Sequence, residues 1–325
     1  MAIVIRGTGK ALPKRYVPNG ELGKELDTSD EWIRTHTGIE GRYIAGEGET
    51  ASSLGAEACR AALARSETPV RAEDLALVVC ATITPEFSGC PAAACLIQDK
   101  IGAANAGAFD LSSACTGFIN ALQTAAALLE HNNWRYALVC ASETLSRIVD
   151  WTDRATCVLF GDGAGAVLLE NTAAAGAPEP LSADGKRRGI GGALVGSDGA
   201  GGAYLYVDER QHLQMDGKAV YLFAVKIIVD IIERLMKQES LSADGVDLFV
   251  CHQANSRILD AAVKRMQIPK EKMVYGMKHY GNTSAASIPL AFADLADEGR
   301  LKPGMTVLTA GFGAGLTWGG CVIRW

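Results

Sequence analysis

The chain has 325 residues, 48% of them apolar and 21% charged, with a formal net charge of −6. That balance supplies a large buried core in one or two domains and argues against a nucleic-acid binder. Nine cysteines without a Cys-x-x-Cys pair and five scattered histidines signal neither a disulfide framework nor a zinc site and point to a reducing, cytosolic setting.

"MAIVIRGTGK" opens the chain with an apolar run broken at Arg6, too short for a signal-peptide core and read as a first strand. Further β-type runs lie at 75–82, 106–112, 136–143, 164–170, 246–253, 273–277, 305–312 and 318–325. Helical patterns lie between them at 51–65, 91–102, 115–130, 218–238, 255–266 and 284–298. The long uncharged stretch from Leu111 to Leu129 holds Ser112, Ser113, Thr116, Asn120, Gln123 and Thr124, which makes it a buried helix and not a membrane span. Strands alternating with helices predict the α/β class.

The two series repeat. "EDLALVVCAT" has a counterpart in "DGVDLFVCHQ", and "RYALVCASET" in "GMTVLTAGFG"; each half closes on a glycine-rich turn and a last strand. The period is far longer than a solenoid's, so the expectation is a duplicated unit with halves 1–170 and 171–325, joined at the seam "NTAAAGAPEP". The alignment makes Asn282 in "YGNTSAAS" the counterpart of Cys115 in "FDLSSACTGF". His252 ends the strand "VDLFVC", and ligands of open α/β sheets bind at strand carboxyl ends. Cys115, His252 and Asn282 are therefore expected to meet where the halves join.

A thiol at a helix start feels partial positive charge and unpaired N–H groups, which lower its pKa toward neutrality. The alternative for Cys115 is a small buried hydrophobe, as assigned to Cys59, Cys80, Cys95, Cys140, Cys251 and Cys321. After an apolar strand, the run His252-Gln253-Ala254-Asn255 serves a cleft or caps the next helix through Asn255. No acidic residue flanks His252, as a proteolytic triad would require. "GDGAGA" at 161–166 precedes a β-type run and not a helix, which argues against dinucleotide binding. "GTGK" at 7–10 lacks the spacing of a phosphate loop.

Taken together, "LDTSDEWI", "DLSSACTGF", "WTDR", "FGDGAGAV", "CHQAN", "YGNTSAAS" and "GFGAGLTWG" resemble the β-ketoacyl-acyl-carrier-protein synthase III family over essentially the whole chain. The resemblance implies a thiolase-like fold: two pseudo-symmetric α/β halves with mixed central sheets sandwiched by helices. It implies a homodimeric cytoplasmic enzyme without metal or prosthetic group that condenses an acyl-CoA primer with malonyl-acyl carrier protein. By the same resemblance Cys115 carries the acyl group, the backbone N–H groups of Cys115 and Ala314 hold the oxyanion, and His252 and Asn282 hold the enolate. Phe312 shields the thiolate. Thr28, Trp32, His36, Arg154, Gly217, Ala254 and Asn255 would contact CoA, and Cys90, Leu205 and Tyr221 would line the acyl pocket.

Arg257, Lys264 and Arg265 share a helical face that suits an acidic carrier protein or is only solvated, and Trp32 has the alternative of a helix core residue. His36 stands where the family usually has arginine, Cys90 where it often has a bulky residue, and Tyr221-Leu222 where a Phe-Lys pair is common. Competing readings are an acyltransferase or condensing enzyme of specialised metabolism with an unusual primer, and a non-catalytic scaffold on the same fold. A redox enzyme is disfavoured because no thiols are closely spaced.

Overall fold

The computed structural model describes residues 3–22, 26–176 and 188–325. The chain opens with β1 (Ile3–Ala11), followed by a ribbon of β2 (Arg15–Pro18) and β3 (Gly41–Ile44) that brackets α1 (Asn19–Leu22) and α2 (Asp30–Thr37). Then come α3 (Ala51–Ala64), β4 (Leu75–Ala81), α4 (Ala93–Ile101), β5 (Gly107–Leu111), α5 (Gly117–His131), β6 (Tyr136–Glu143), α6 (Arg154–Cys157) and β7 (Gly163–Asn171). Beyond residue 188 lie β8 (Gly189–Ser197), a hairpin of β9 (Leu205–Val207) and β10 (Leu213–Met215), and α7 (Gly217–Gln238). The chain continues through β11 (Leu248–Cys251), α8 (Ser256–Met266), α9 (Met277–Tyr280) and α10 (Ser287–Asp297) to β12 (Thr306–Gly313) and β13 (Thr317–Arg324).

One sheet has the order β1-β7-β6-β4-β5 and the other β8-β13-β12-β11. Each begins with two antiparallel pairings and continues in parallel. In the parallel pairs Ala81 faces Ala141 and Cys251 faces Ala310. Thr82 therefore occupies the position of His252, and Glu143 that of Phe312.

The uninterrupted apolar strands are covered on both faces, as parallel strands require. Between the sheets α5 and α10 form a shared core in which Phe118 meets Phe292 edge-on at 6.2 Å. α3 and α4 cover the outer face of the first sheet, and α7 and α8 that of the second. Thr50 and Ser53 close a capping box that starts α3, and the Asp216 carboxylate accepts the first amides of α7. Glycine in β1 lets α3 approach, since a Cβ at Gly9 would lie 2.1 Å from the Ala58 carbonyl.

Two expectations fail. Residues 273–277 form no strand, only a bridge from Met273 to Phe249. The Gln253 amide instead donates to the Val274 carbonyl (3.1 Å) and accepts from the Gly276 N–H (2.6 Å), so a side chain takes backbone groups that a neighbouring strand would use. Cys95, assigned to the core, is exposed on α4, its Sγ 3.6 Å from the Ala108 carbonyl. The ribbon, the hairpin and β8 were not anticipated. Of the expected seam, 177–180 lies outside the described residues.

"GDGAGA" leads into β7 and "GTGK" lies within β1. Among the described residues no helix is long and apolar enough to cross a membrane, and no group of His, Cys, Asp or Glu side chains is arranged to hold a metal ion.

Candidate active site

Beyond β5 the chain enters a left-handed residue, Ala114 (φ 43°), makes one 3-10 turn over Ala114–Thr116 and continues as α5. Ser284 (φ 49°) repeats this with a turn over Ser284–Ala286 and α10. The matching left-handed residues set the correspondence: Cys115 pairs with Ala285. Asn282, expected at that place, stands three residues earlier, opposite Ser112.

Cys115, His252, Asn282 and Phe312 line one cavity of about 430 Å³ where the two sheets' strand ends converge. Each polar member has part of its hydrogen-bonding capacity already occupied. The Asn282 Oδ1 accepts from the Ser284 N–H at 2.9 Å, which leaves the amide NH₂ to donate into the cavity. His252 Nδ1 lies 2.8 Å from Ser287 Oγ, which also accepts the Gln253 N–H at 3.3 Å. With Nδ1 the acceptor for the Ser287 hydroxyl hydrogen, the imidazole proton sits on Nε2, as a donor. Burial pushes the His252 pKa down to about 3, so the ring is neutral. Phe312 meets it edge-on at 5.4 Å.

The thiol departs from expectation. Burial pushes Cys115 up to about 12, with Glu143 adding repulsion, while Ser284 and its own backbone N–H pull it down. A helix start does not by itself make a thiolate here, because the sulfur sits too deep for the N–H groups to replace lost hydration. The wall behind it is tight: a Cβ on Gly313 would lie 2.8 Å from the Cys115 nitrogen. Ala314, the next residue, is not among the cavity-lining residues, and its carbonyl accepts from Thr317 Oγ1 at 3.0 Å.

At the mouth Trp32 is 37% exposed, which removes its core alternative. His36 stacks on it at 4.4 Å and the Arg154 guanidinium lies 5.1 Å from its ring centroid. His36 Nδ1 is 2.7 Å from the Trp32 carbonyl. Gly217, Ala254 and Asn255 line the same cavity, as do Leu205, Tyr221 and Arg257. Asn255 also caps α8, its Oδ1 accepting the Arg257 N–H at 2.9 Å.

Other expected residues lie elsewhere. Cys90 is exposed and is not among the residues that line the cavity of this chain. Thr28 lies off the lining with a buried, unpartnered hydroxyl. Lys264 and Arg265 are exposed in the last turn of α8, away from the cavity. Sequence reasoning missed Ser287, although it stands in the quoted "YGNTSAAS". It also missed Glu143, whose charge at the end of the uncharged, largely apolar run "YALVCAS" was a visible signal.

Residues 109–185 match the family model described as 3-oxoacyl-[acyl-carrier-protein] synthase III, and residues 236–325 match the model of its C-terminal part. The chain is 47% identical over 330 positions to the β-ketoacyl-[acyl-carrier-protein] synthase III of Rhizobium meliloti, covering 99% of each. Among solved structures, 3-oxoacyl-[acyl-carrier-protein] synthase III from Aquifex aeolicus superimposes with a TM-score of 0.92 at 38% identity, over 99% of this chain and 100% of the other. A priming β-ketosynthase from a polyketide pathway gives 0.89 at 36%, over 99% and 95%.

Proposed function

The chain belongs to the β-ketoacyl-acyl-carrier-protein synthase III family, and from that premise we propose how its cavity carries out the family's condensation in fatty acid synthesis. Cys115 Sγ attacks the carbonyl carbon of acyl-CoA. The oxyanion is held by the N–H groups of Cys115 and Ala314, CoA leaves as its thiolate, and the acyl group remains on sulfur. Malonyl-acyl carrier protein then loses its carboxyl carbon as CO₂, and the bonding pair becomes an enolate. Nε2–H of His252 and the NH₂ of Asn282 donate to the enolate oxygen. The carbanion carbon attacks the acyl-cysteine, expels the Cys115 thiolate and leaves 3-oxoacyl carrier protein.

Two neutral donors stabilise developing charge without activating water against the acyl-enzyme. Phe312 gives the carboxylate an apolar neighbour, which favours its departure as CO₂. These steps draw on side chains and backbone alone, with no prosthetic group.

Trp32 offers an exposed ring and Arg154 a guanidinium for stacking on a nucleobase, which requires the 5.1 Å between them to widen, and the buried Thr28 hydroxyl would reach the base only with the same movement. His36, Gly217, Ala254 and Asn255 complete the CoA channel, and Leu205 and Tyr221 its acyl end. Arg257, Lys264 and Arg265 present an exposed cationic face to the carrier protein. We assign the two halves to 1–170 and 171–325, and the enzyme to the cytoplasm as a homodimer. β5 is the open edge of its sheet, and Phe87, 50% exposed, stands in the loop ahead of Cys90; pairing at this edge would bring Cys90 toward the partner's acyl pocket.

The observation that carries this reading is that a thiol, a neutral imidazole and a carboxamide from both sheets line one cavity. Incubation with acyl-CoA should add one acyl mass to the Cys115 peptide, and malonyl-carrier protein should then release CO₂. Acyl transfer without CO₂ release would defeat the condensation. Cys90 at a usually bulky position and the likeness to a polyketide priming enzyme favour, as a second reading, a specialised pathway with an unusual primer. A panel of primers of graded length and branching distinguishes the two.

A further inference from the structure

We propose that Glu143 accepts the Cys115 proton through the Ser284 hydroxyl when the thiol attacks, and holds it until the thiolate is expelled again. This rests on Cys115 being the acyl-carrying nucleophile.

The need arises from the site itself. Cys115 is a protonated thiol in a buried wall, so something must receive its proton. His252 is the obvious base, but its Nε2 already bears hydrogen and its Nδ1 is occupied by Ser287. Glu143 is the other group within reach. It ends β6 with no exposure to solvent, at the place that Phe312 holds in the second sheet, so the internal symmetry sets a ring on one side of the thiol and a carboxyl on the other.

One oxygen of this carboxyl is saturated. Oε2 accepts from Thr84 Oγ1 at 2.6 Å, the Ile83 N–H at 3.1 Å and Thr82 Oγ1 at 3.2 Å. Oε1 has only a long contact, 3.4 Å, to the same amide. Ser284 Oγ is buried and makes no hydrogen bond of ordinary length, yet it lies near enough to both groups to favour the charged form of each. Its backbone is fixed by Asn282 Oδ1. The buried hydroxyl, without another partner, is the group that both the thiol and the carboxyl face. Burial raises Glu143 to about 7 against the pull of its donors, so it can take or release a proton near neutrality.

Protons and charge balance in both half-reactions. In acylation the S–H proton passes to Ser284 Oγ as the Ser284 hydrogen passes to the carboxylate; Sγ–C forms, the CoA C–S bond breaks, and CoA thiolate takes a proton from water. The neutral carboxylic acid then faces a neutral thioester. In condensation the Cys115 thiolate is expelled and recovers its proton by the same path, returning Glu143 to the anion.

The titratable groups that interact with Glu143 include two thiols, Cys115 ahead of α5 and Cys80 from β4, each pushed up. Beside β7, the Asp162 carboxylate is tied to Ser146 and the Ala45 N–H. α3 offers Ala51 and Ser52 at this end, of which the Ala51 carbonyl accepts the Ser142 hydroxyl. Among the described residues the hydrogen-bond partners of Glu143 include no cation.

The test measures the rate of acylation from acyl-CoA against pH for the intact enzyme, Glu143→Gln, Glu143→Asp and Ser284→Ala, with CO₂ release measured separately once each is fully acylated. Glu143→Gln is expected to slow acylation about 10²- to 10³-fold, within the range for a lost proton acceptor, and to remove the rise near pH 7. Glu143→Asp should recover part of both, Ser284→Ala should slow acylation by at least about tenfold, and CO₂ release should stay within a factor of about 3 of the intact enzyme for all. An unchanged rate and pH profile in Glu143→Gln overturns the relay, as does an equal fall in acylation and CO₂ release. Should Glu143→Gln fail to fold, Ser284→Ala decides, and intact-like acylation by it ends the proposal. An intact enzyme that never carries acyl on Cys115 instead sinks the nucleophile assignment.

Discussion

His252 remains uncharged across the ordinary pH range, since its pKa lies near 3. CO₂ release from fully acylated enzyme should therefore be flat between about pH 5 and 8, and a bell centred on a histidine pKa would contradict the neutral donor. Ser287 acts through the ring by holding the proton on Nε2. Ser287→Ala should lower the rate of CO₂ release about tenfold with KM for malonyl-carrier protein nearly unchanged, and Ser287→Thr should restore most of it.

Stability responds to pH with opposite signs at the two buried groups. The lowered His252 pKa gives stability that is present above about 6.5 and lost as pH falls toward 3, because the unfolded ring takes up a proton first. The raised Glu143 pKa gives stability that is present below about 4.5 and lost as pH rises through 7. Urea melts of Glu143→Gln at pH 5 and 8 should show the variant gaining on the intact enzyme at the higher pH, by an amount on the order of 3 kcal/mol. A constant difference would remove the titration.

At the scale of elements, local signals located most of the helices. α3, α5, α7 and α8 appear within a residue or two of their expected bounds, because caps and apolar periodicity are short-range properties. β8 escaped notice because four of its nine residues are glycine. Those glycines serve neighbours elsewhere in the chain: a Cβ at Gly196 would strike Trp318, and one at Gly192 would strike Gln238 and Glu239. The cap of α8 shapes the cavity as well as the helix, so Asn255→Ala should cost about 1 kcal/mol in thermal unfolding and raise KM for acyl-CoA. Gly313→Ala presses a methyl group onto the Cys115 backbone; it should fold less stably and lose acylation, and normal acylation would show that the wall can yield.

For the molecule as a whole, the shared core between the sheets decides cooperativity. Phe118 from α5 and Phe292 from α10 meet there, so neither half keeps its inner face covered alone. Heating should unfold the chain in one transition, and Phe292→Ala should lower stability by about 3–5 kcal/mol without splitting it. The open edge at β5 predicts sedimentation at twice the 34.2 kDa chain mass, with Phe87→Arg shifting the population toward monomer; an intact enzyme that sediments as a single chain would remove the dimer.

The family, the α/β class and the meeting of Cys115, His252 and Asn282 at one cavity were legible in the sequence, because ordered motifs and strand-to-helix junctions are carried by neighbouring residues. The protonation of Cys115, the tautomer of His252, the pairing of Cys115 with Ala285 and the presence of Glu143 beside the thiol were decided only by the tertiary structure. Desolvation and hydrogen-bond saturation are sums over atoms brought together from β4, β6, β11, α10 and the turn ahead of α5, and no spacing along the chain encodes them.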